Sequence, residues 1–312
     1  MGVEHAIGVA TDMAIMSLLA LSAWLVLRVG RISFGQQAFF GLGAYTSALA
    51  TAVMQWPLVP ALLAGGAVGA AASWLLALPT LRLSGLQYAV ATLAFAEMAR
   101  LGLQSWTLQV ETADGPVGPA GLDGFRDIRW LLENDVSPAQ YLALVLAVLA
   151  LALALLVWLN RQRAGLALQA TGLDDTLAAA QGWPVHRLRL AALALAGALA
   201  AVGGGLYAHR ATYIEPALFD PMLGVHAVGY ALIGGLATVV GPLLGVAFDL
   251  GLLEATRVFA GWRMVVFGGL VALFLRWRPR GLLDEAMLER LGRAWPRSAA
   301  PTTMTPLKET AR

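Results

Sequence analysis

"ISFGQQAFFGLGAY", residues 32–45, decides how this chain is read. It holds three glycines, two adjacent glutamines and a serine, yet continuous apolar sequence lies on both sides of it. Glycine weakens a helix by roughly 0.5–1 kcal/mol relative to alanine. Backbone that leaves the helix at membrane depth survives only when buried in protein or lining water. The stretch therefore marks either a loose helix end or a broken segment beside a translocation path.

The premise of a membrane holds. The chain has 312 residues, 59% hydrophobic and 13% charged, with a mean hydropathy of +0.70. A soluble domain carries about 25% charged residues, so a normal polar surface cannot cover this one. Apolar stretches of about 20 residues recur, each long enough to cross roughly 30 Å of hydrocarbon. They are continuous and rich in Leu and Ala rather than alternating, which excludes a β-barrel pattern. The fold class expected is all-α, a polytopic transmembrane helical bundle of about 8–10 spans with broken or re-entrant segments.

About nine spans are expected, at 6–27, 32–54, 57–78, 85–104, 138–159, 188–208, 222–240, 242–260 and 262–276; the 222–260 pair reads equally as a re-entrant unit plus a span. The first run has no preceding Lys or Arg and reads as a retained span rather than a cleaved signal. Residues 28–31, 79–84, 160–187 and the tail from 276 carry most of the Lys and Arg, which predicts an outside N-terminus and a cytoplasmic C-terminus. The long outer connection is then 105–137 and the long inner one 160–187. Residues 1–281 form the permease domain and 282–312 a cytoplasmic tail, amphipathic over 282–294 and disordered from Pro296.

Glycine and alanine recur at small-xxx-small spacing in Gly65 and Gly69, in Gly197, Ala201 and Gly205, and in Gly241 and Gly245. Such faces let helix backbones approach closely where lipid supplies no hydrophobic drive. A second interrupted stretch, "GYALIGGLATVVGPLLG" at 229–245, lies in the other half of the chain. Paired Gly/Pro-broken segments in two halves point to a path at their interface.

Charge within the spans is sparse: Asp12, Glu97, Asp249 and Glu254. Glu97 with Arg100, and Glu254 with Arg257, can share a helix face at i,i+3. Asp12 and Asp249 have no local partner and are expected to face other helices or water. No cysteine exists, the four histidines show no metal spacing, and no serine-nucleophile elbow or phosphate loop is present. An enzyme, a metal site and nucleic-acid binding are not expected.

Several motifs in register resemble one family. "SFGQQAFFGLGAYTSA" (33–48), "LRLSGLQYAVATLAFAEMARL" (81–101), "TADGPVG" (112–118), "GLALQATGLDDTLAAAQG" (165–182), "ALIGGLATVVGPLLGVAF" (231–248) and "RWRPRGLL" (276–283) are similar to segments of LivM-type permeases of branched-chain amino acid ABC importers. The resemblance implies one of two related membrane subunits, the other LivH-like. It also implies two cytoplasmic ATPase subunits that bind ATP and Mg, and a periplasmic solute-binding protein; this chain itself needs no cofactor. Lipid surrounds the assembly.

On this reading the candidate path residues are Ser33, Gln36, Gln37, Tyr45, Thr92, Glu97, Gly234, Gly235 and Asp249. The candidate ATPase-coupling residues are Gly165, Ala170, Asp174, Asp175, Ala178 and Gly182, with the two aspartates facing basic groups of the partner. Leu166 and Gly172 stand where the family usually has arginine, so this docking element has lost two charged contacts. An ion-coupled carrier using Asp12, Glu97 or Asp249, a passive channel, and the same permease role for urea, amides or aromatic acids are the alternatives.

Overall fold

A computed structural model describes residues 2–112 and 115–251, together with positions 265, 268, 269, 272, 273 and 276. The expected span 262–276 as a whole, the second half of 242–260, the Glu254–Arg257 pair and the tail from 282 lie outside the described residues.

The described chain is helical apart from one small hairpin. The elements are α1 (Val3–Arg28), α2 (Gln36–Ala52), α3 (Leu58–Thr80), α4 (Gly85–Ser105), β1 (Val110–Thr112), β2 (Gly115–Val117), α5 (Trp130–Glu133), α6 (Pro138–Arg161), α7 (Arg163–Leu173), α8 (Asp175–Ala180), α9 (Val185–Ala211), α10 (Pro221–Gly234) and α11 (Gly241–Val246). A π-helical turn, Ala247–Gly251, continues α11. β1 and β2 pair antiparallel, with Val110 opposite Val117.

Four described helices, α1, α3, α6 and α9, are long and apolar enough to cross a membrane. The helix of the expected span 32–54 begins only at Gln36, because Arg31–Gly35 is not helical. The expected span 222–240 is helical over α10 alone, whose 14 residues reach only about 21 Å. That is short of the roughly 30 Å hydrocarbon layer, so α10 by itself is a partial penetration followed by a turn.

Local sequence explains several starts. Ser137 and Gln140 form a reciprocal capping box on α6, with Gln140 N–H donating to Ser137 Oγ at 3.3 Å and Ser137 N–H donating to Gln140 Oε1 at 2.9 Å. Asp220 caps α10, accepting from Leu223 N–H at 3.2 Å, and Pro221 supplies the preset first turn.

The interior is built on α1, α2, α3 and α9. The small-residue faces meet as their spacing predicts. A Cβ on Gly69 would stand 2.6 Å from the Gly197 carbonyl oxygen, and one on Gly65 would stand 3.0 Å from the Gly43 oxygen. Ser73 uses the same close approach to donate a 2.7 Å hydrogen bond to the Leu193 carbonyl. α1 is enclosed by α9, α6, α10 and α11, and Ile15, Leu18, Leu19 and Leu21 are fully buried.

Candidate functional site

The opening stretch folds into a buried polar junction between α1 and α2. Gly30, at φ +75°, turns the chain out of α1, and the five residues Arg31–Gly35 cross to α2 without helical structure. Two of their backbone donors go to hydroxyls, and Arg31 N–H goes to the Val26 carbonyl at 3.2 Å. Phe34 N–H donates to Thr92 Oγ1 at 3.1 Å, and Gly35 N–H donates to Ser33 Oγ at 3.2 Å. Thr92 in turn donates to the Ala89 carbonyl at 2.8 Å, so α4 is tied to the crossing. Broken backbone in an apolar interior costs free energy unless each donor is paired, and these two side chains supply the pairs.

The two adjacent glutamines behave differently. Gln36 Oε1 accepts from Ser22 of α1 at 3.2 Å, and its Nε2 donates to Ser33 Oγ at 3.4 Å. Gln36 is thus a structural clasp. Gln37 is fully buried, yet neither amide atom has a hydrogen-bond partner. Its amide lies against Gly224 of α10, in space that a Cβ there would occupy, and beside the Phe34 carbonyl. An unpaired buried amide is costly in a resting core, which sets Gln37 apart from Gln36 in this junction.

The other expected path residues are not all in one place. Tyr45 lies two turns along α2 with its hydroxyl unpartnered, enclosed by Trp106, Phe125 and Phe219 at ring separations of 6.2–6.4 Å. Phe125 and Ile128 of the 105–137 connection are fully buried. Phe125 and Ile214 exchange both backbone hydrogen bonds, at 2.7 and 3.0 Å, which fastens that connection to the segment after α9.

Gly234 and Gly235 form the tight exit from α10, with Gly235 at φ +98° and Gly234 closely packed on Gly241. The next residue, Leu236, offers its carbonyl to Trp24 Nε1 at 3.2 Å and Arg28 at 3.3 Å. Asp249, in the π turn, accepts from the Tyr230 hydroxyl at 2.7 Å. Glu97 pairs with Arg100 within α4 and does not reach the junction. Asp12, without a partner nearby in sequence, meets Arg210 of α9 at 3.8 Å.

The 160–187 connection contains two helices, α7 and α8, meeting at Asp174. That residue is the cap of α8: Oδ1 accepts from Leu177 N–H at 3.0 Å, from the Thr176 hydroxyl at 2.8 Å and from Thr176 N–H at 2.9 Å. These bonds hold its carboxyl below the usual carboxylate range. Asp175 pairs with Arg189 of α9 at 3.0 Å. Within this chain the two aspartates shape and anchor the loop itself, and both remain exposed.

Gly165 and Ala178 are also buried against the chain itself, while Ala170 is half-buried and Gly182, at φ +85°, is an exposed turn. The free surface of the loop is made instead by Leu166, Leu173 and Leu177, which are 64%, 82% and 57% exposed.

Three arginines brace this end of the bundle through contacts between elements, which the sequence alone does not announce. Arg28 donates to Gln169 of α7 at 3.1 Å as well as to Leu236. Arg31 donates to the carbonyls of Leu81 and Leu83. Arg189 reaches the Thr171 carbonyl at 3.3 Å beside Asp175. Ser22 and Gly224 were also missed, since their contacts cross between elements and leave no local spacing to read.

Long apolar helices with a broken polar crossing, and a folded loop at one end, define a helical membrane bundle. The chain belongs to the family described as branched-chain amino acid transport system / permease component, which matches residues 5–275. It is 29% identical over 302 residues to the high-affinity branched-chain amino acid transport system permease protein LivM of Salmonella typhimurium, covering 88% of this chain and 70% of that one. It is also 29% identical over 301 residues to the LivM protein of Escherichia coli, covering 89% and 69%. No solved structure matches the chain.

Proposed function

We propose that this chain is one of two permease subunits of an ATP-driven importer that carries branched-chain or related hydrophobic amino acids across a bacterial inner membrane. The observation that carries the reading is the junction at Ser33–Gln37, a paired non-helical crossing that leaves one buried amide unengaged. Family membership and the printed function of the two LivM relatives support the substrate class. A LivH-like second permease, two ATPase subunits holding ATP and Mg, and a solute-binding protein complete the assembly. The N-terminus lies outside, with 105–137 outer and α7–α8 cytoplasmic.

The exposed leucines of α7 and α8 offer the apolar contact that an ATPase groove would cover, in place of the two arginines absent at Leu166 and Gly172. Of the acids that the carrier alternative would use, Asp12 stands beside Arg210, Glu97 beside Arg100, and Asp249 accepts from the Tyr230 hydroxyl.

Reconstitution with the partner subunits tests the reading. Uptake should follow ATP and persist when the proton gradient is dissipated. Uptake that collapses with the gradient while ATP is held constant overturns it.

A further inference from the structure

We infer that one stripe of α2 lines the solute path and that the Phe219 ring is the stopper closing it in this structure, a deepening that rests on the permease reading above. Gln37, Gly41 and Tyr45 follow one another at i, i+4 and i+8, within about 80° around the helix and about 12 Å along it. All three meet the chain between Pro216 and Gly234. The Gln37 amide lies against Gly224 of α10, and a Cβ on Gly41 would stand 3.0 Å from Cγ of Phe219. The Tyr45 ring meets the Phe219 ring edge-on at 6.2 Å.

The two ends of this stripe carry polar groups with no use in a resting core. Gln37 and Tyr45 are 0% and 1% exposed, and neither the carboxamide nor the hydroxyl has a hydrogen-bond partner. Each orphaned group costs about 1–3 kcal/mol that an apolar residue of the same shape would not. Leucine and phenylalanine would fill these positions without that penalty. A carboxamide suits an uncharged-overall zwitterion, since its N–H donates to a carboxylate while its oxygen accepts from an ammonium.

Phe219 stands between these groups. It is buried, and its ring packs on Gly41, Phe40 and Tyr45. Gly41 makes that seat, because a Cβ there would already crowd the ring. Being hydrocarbon, the ring is held by packing and by no hydrogen bond. Its backbone support is local as well. Leu218 N–H donates to the Glu215 carbonyl at 3.1 Å and Leu223 N–H to the Asp220 carbonyl at 3.2 Å, while Pro216 and Pro221 have no N–H to give. A side chain so held can leave its seat without breaking a polar contact to α2, which is what a stopper requires.

Because the chain has no cysteine, single cysteines report access to this stripe directly. Gln37→Cys and Tyr45→Cys, with Leu19→Cys in the core of α1 as control, are made with Phe219 intact and with Phe219→Ala. Each assembled transporter, in lipid nanodiscs, is treated with a small water-soluble methanethiosulfonate, and modification of this chain is followed by mass spectrometry. Phe219→Ala should speed the reaction severalfold at both α2 positions and leave Leu19→Cys unreactive. With Phe219 in place, ATP and solute together should speed the same two positions, so the outcome does not hang on one variant. Unchanged rates at the α2 positions in both comparisons, or an equal rise at Leu19→Cys, overturns the inference. If the cysteine-free complex neither takes up solute nor hydrolyses ATP, it is the underlying permease reading that fails, whatever the labelling shows.

Discussion

Gly30 and Gly172 meet backbone to backbone: a Cβ on Gly30 would stand 2.7 Å from the Gly172 carbonyl oxygen. Through this contact α7 of the loop rests directly on the turn that leads into the Ser33–Gln37 crossing. Gly172 is equally closed, because a side chain there would enter the Arg28 carbonyl. The arginine usual in the family therefore has no room in this arrangement. Gly172→Arg should push α7 off the turn. Overfilling of packed interiors costs about 1–3 kcal/mol, so the purified complex should unfold at a lower temperature. An unchanged midpoint would show that the contact is dispensable.

Thr92 tests the pairing of the broken backbone. Thr92→Val keeps the shape but leaves Phe34 N–H without its acceptor. An unsatisfied buried donor costs about 1–3 kcal/mol. Thermal stability should fall for Thr92→Val and hold for Thr92→Ser.

Gln37 and Gln36 should separate in opposite directions. Gln37→Leu removes two atoms that have no partner, so stability should hold or rise while uptake falls. The loss of one substrate hydrogen bond corresponds to roughly three- to tenfold, from about 0.5–1.5 kcal/mol. Gln36→Leu breaks the bonds to Ser22 and Ser33 and should lower stability first. Radiolabelled uptake beside melting curves distinguishes the two; equal behaviour of both variants would remove the distinction drawn between them.

Asp174 links the loop to pH. Its lowered pKa means the cap contributes above the unfolded value near 3.8 and is lost only as pH falls through the still lower folded value. Amide exchange at Thr176 and Leu177 should therefore be equally protected at pH 7 and pH 5. Asp174→Ala should expose both amides, and Asp174→Asn should keep them protected.

The loop surface predicts a separation between folding and docking. Ala178 is buried, so Ala178→Trp should disorder α8 itself. Leu173→Glu and Leu177→Glu lie on the exposed side and should reduce ATPase co-purification with α7 and α8 intact. Retention of the ATPases by both glutamate variants would place the contact elsewhere.

Much of this arrangement was legible because hydrophobic length and glycine spacing are local signals. The runs that became α1, α3, α6 and α9, the close approach of Gly69 to Gly197, and the departure from helix at 32–35 all follow from them. Asp174 was legible in principle, since an aspartate just before Asp–Thr–Leu–Ala is a helix-start signal. It was passed over because charge was read as a partner contact. Gln36 and Gln37 could not be told apart, because what separates them is Ser22 on one side and Gly224 on the other, neither adjacent in sequence. Phe125 with Ile214, and Arg28 with Gln169, are long-range pairings of the same kind.

The enclosure of α1 has a consequence for how the protein is made. The most buried of the four long apolar helices, α1, is made well before its chief neighbour, since α9 begins only at Val185. At about 5–20 residues per second, the start of α9 follows the end of α1 by roughly 8–31 s. Throughout that interval Thr11 and Ser17 have only their own helix to bond to, while Ser22 gains Gln36 once α2 is made. Thr11 and Ser17 already donate back to Ile7 and Met13 carbonyls, and Ser22 to Leu19. The hydroxyls that look redundant in the assembled bundle are what allow α1 to wait in the bilayer until its neighbours arrive.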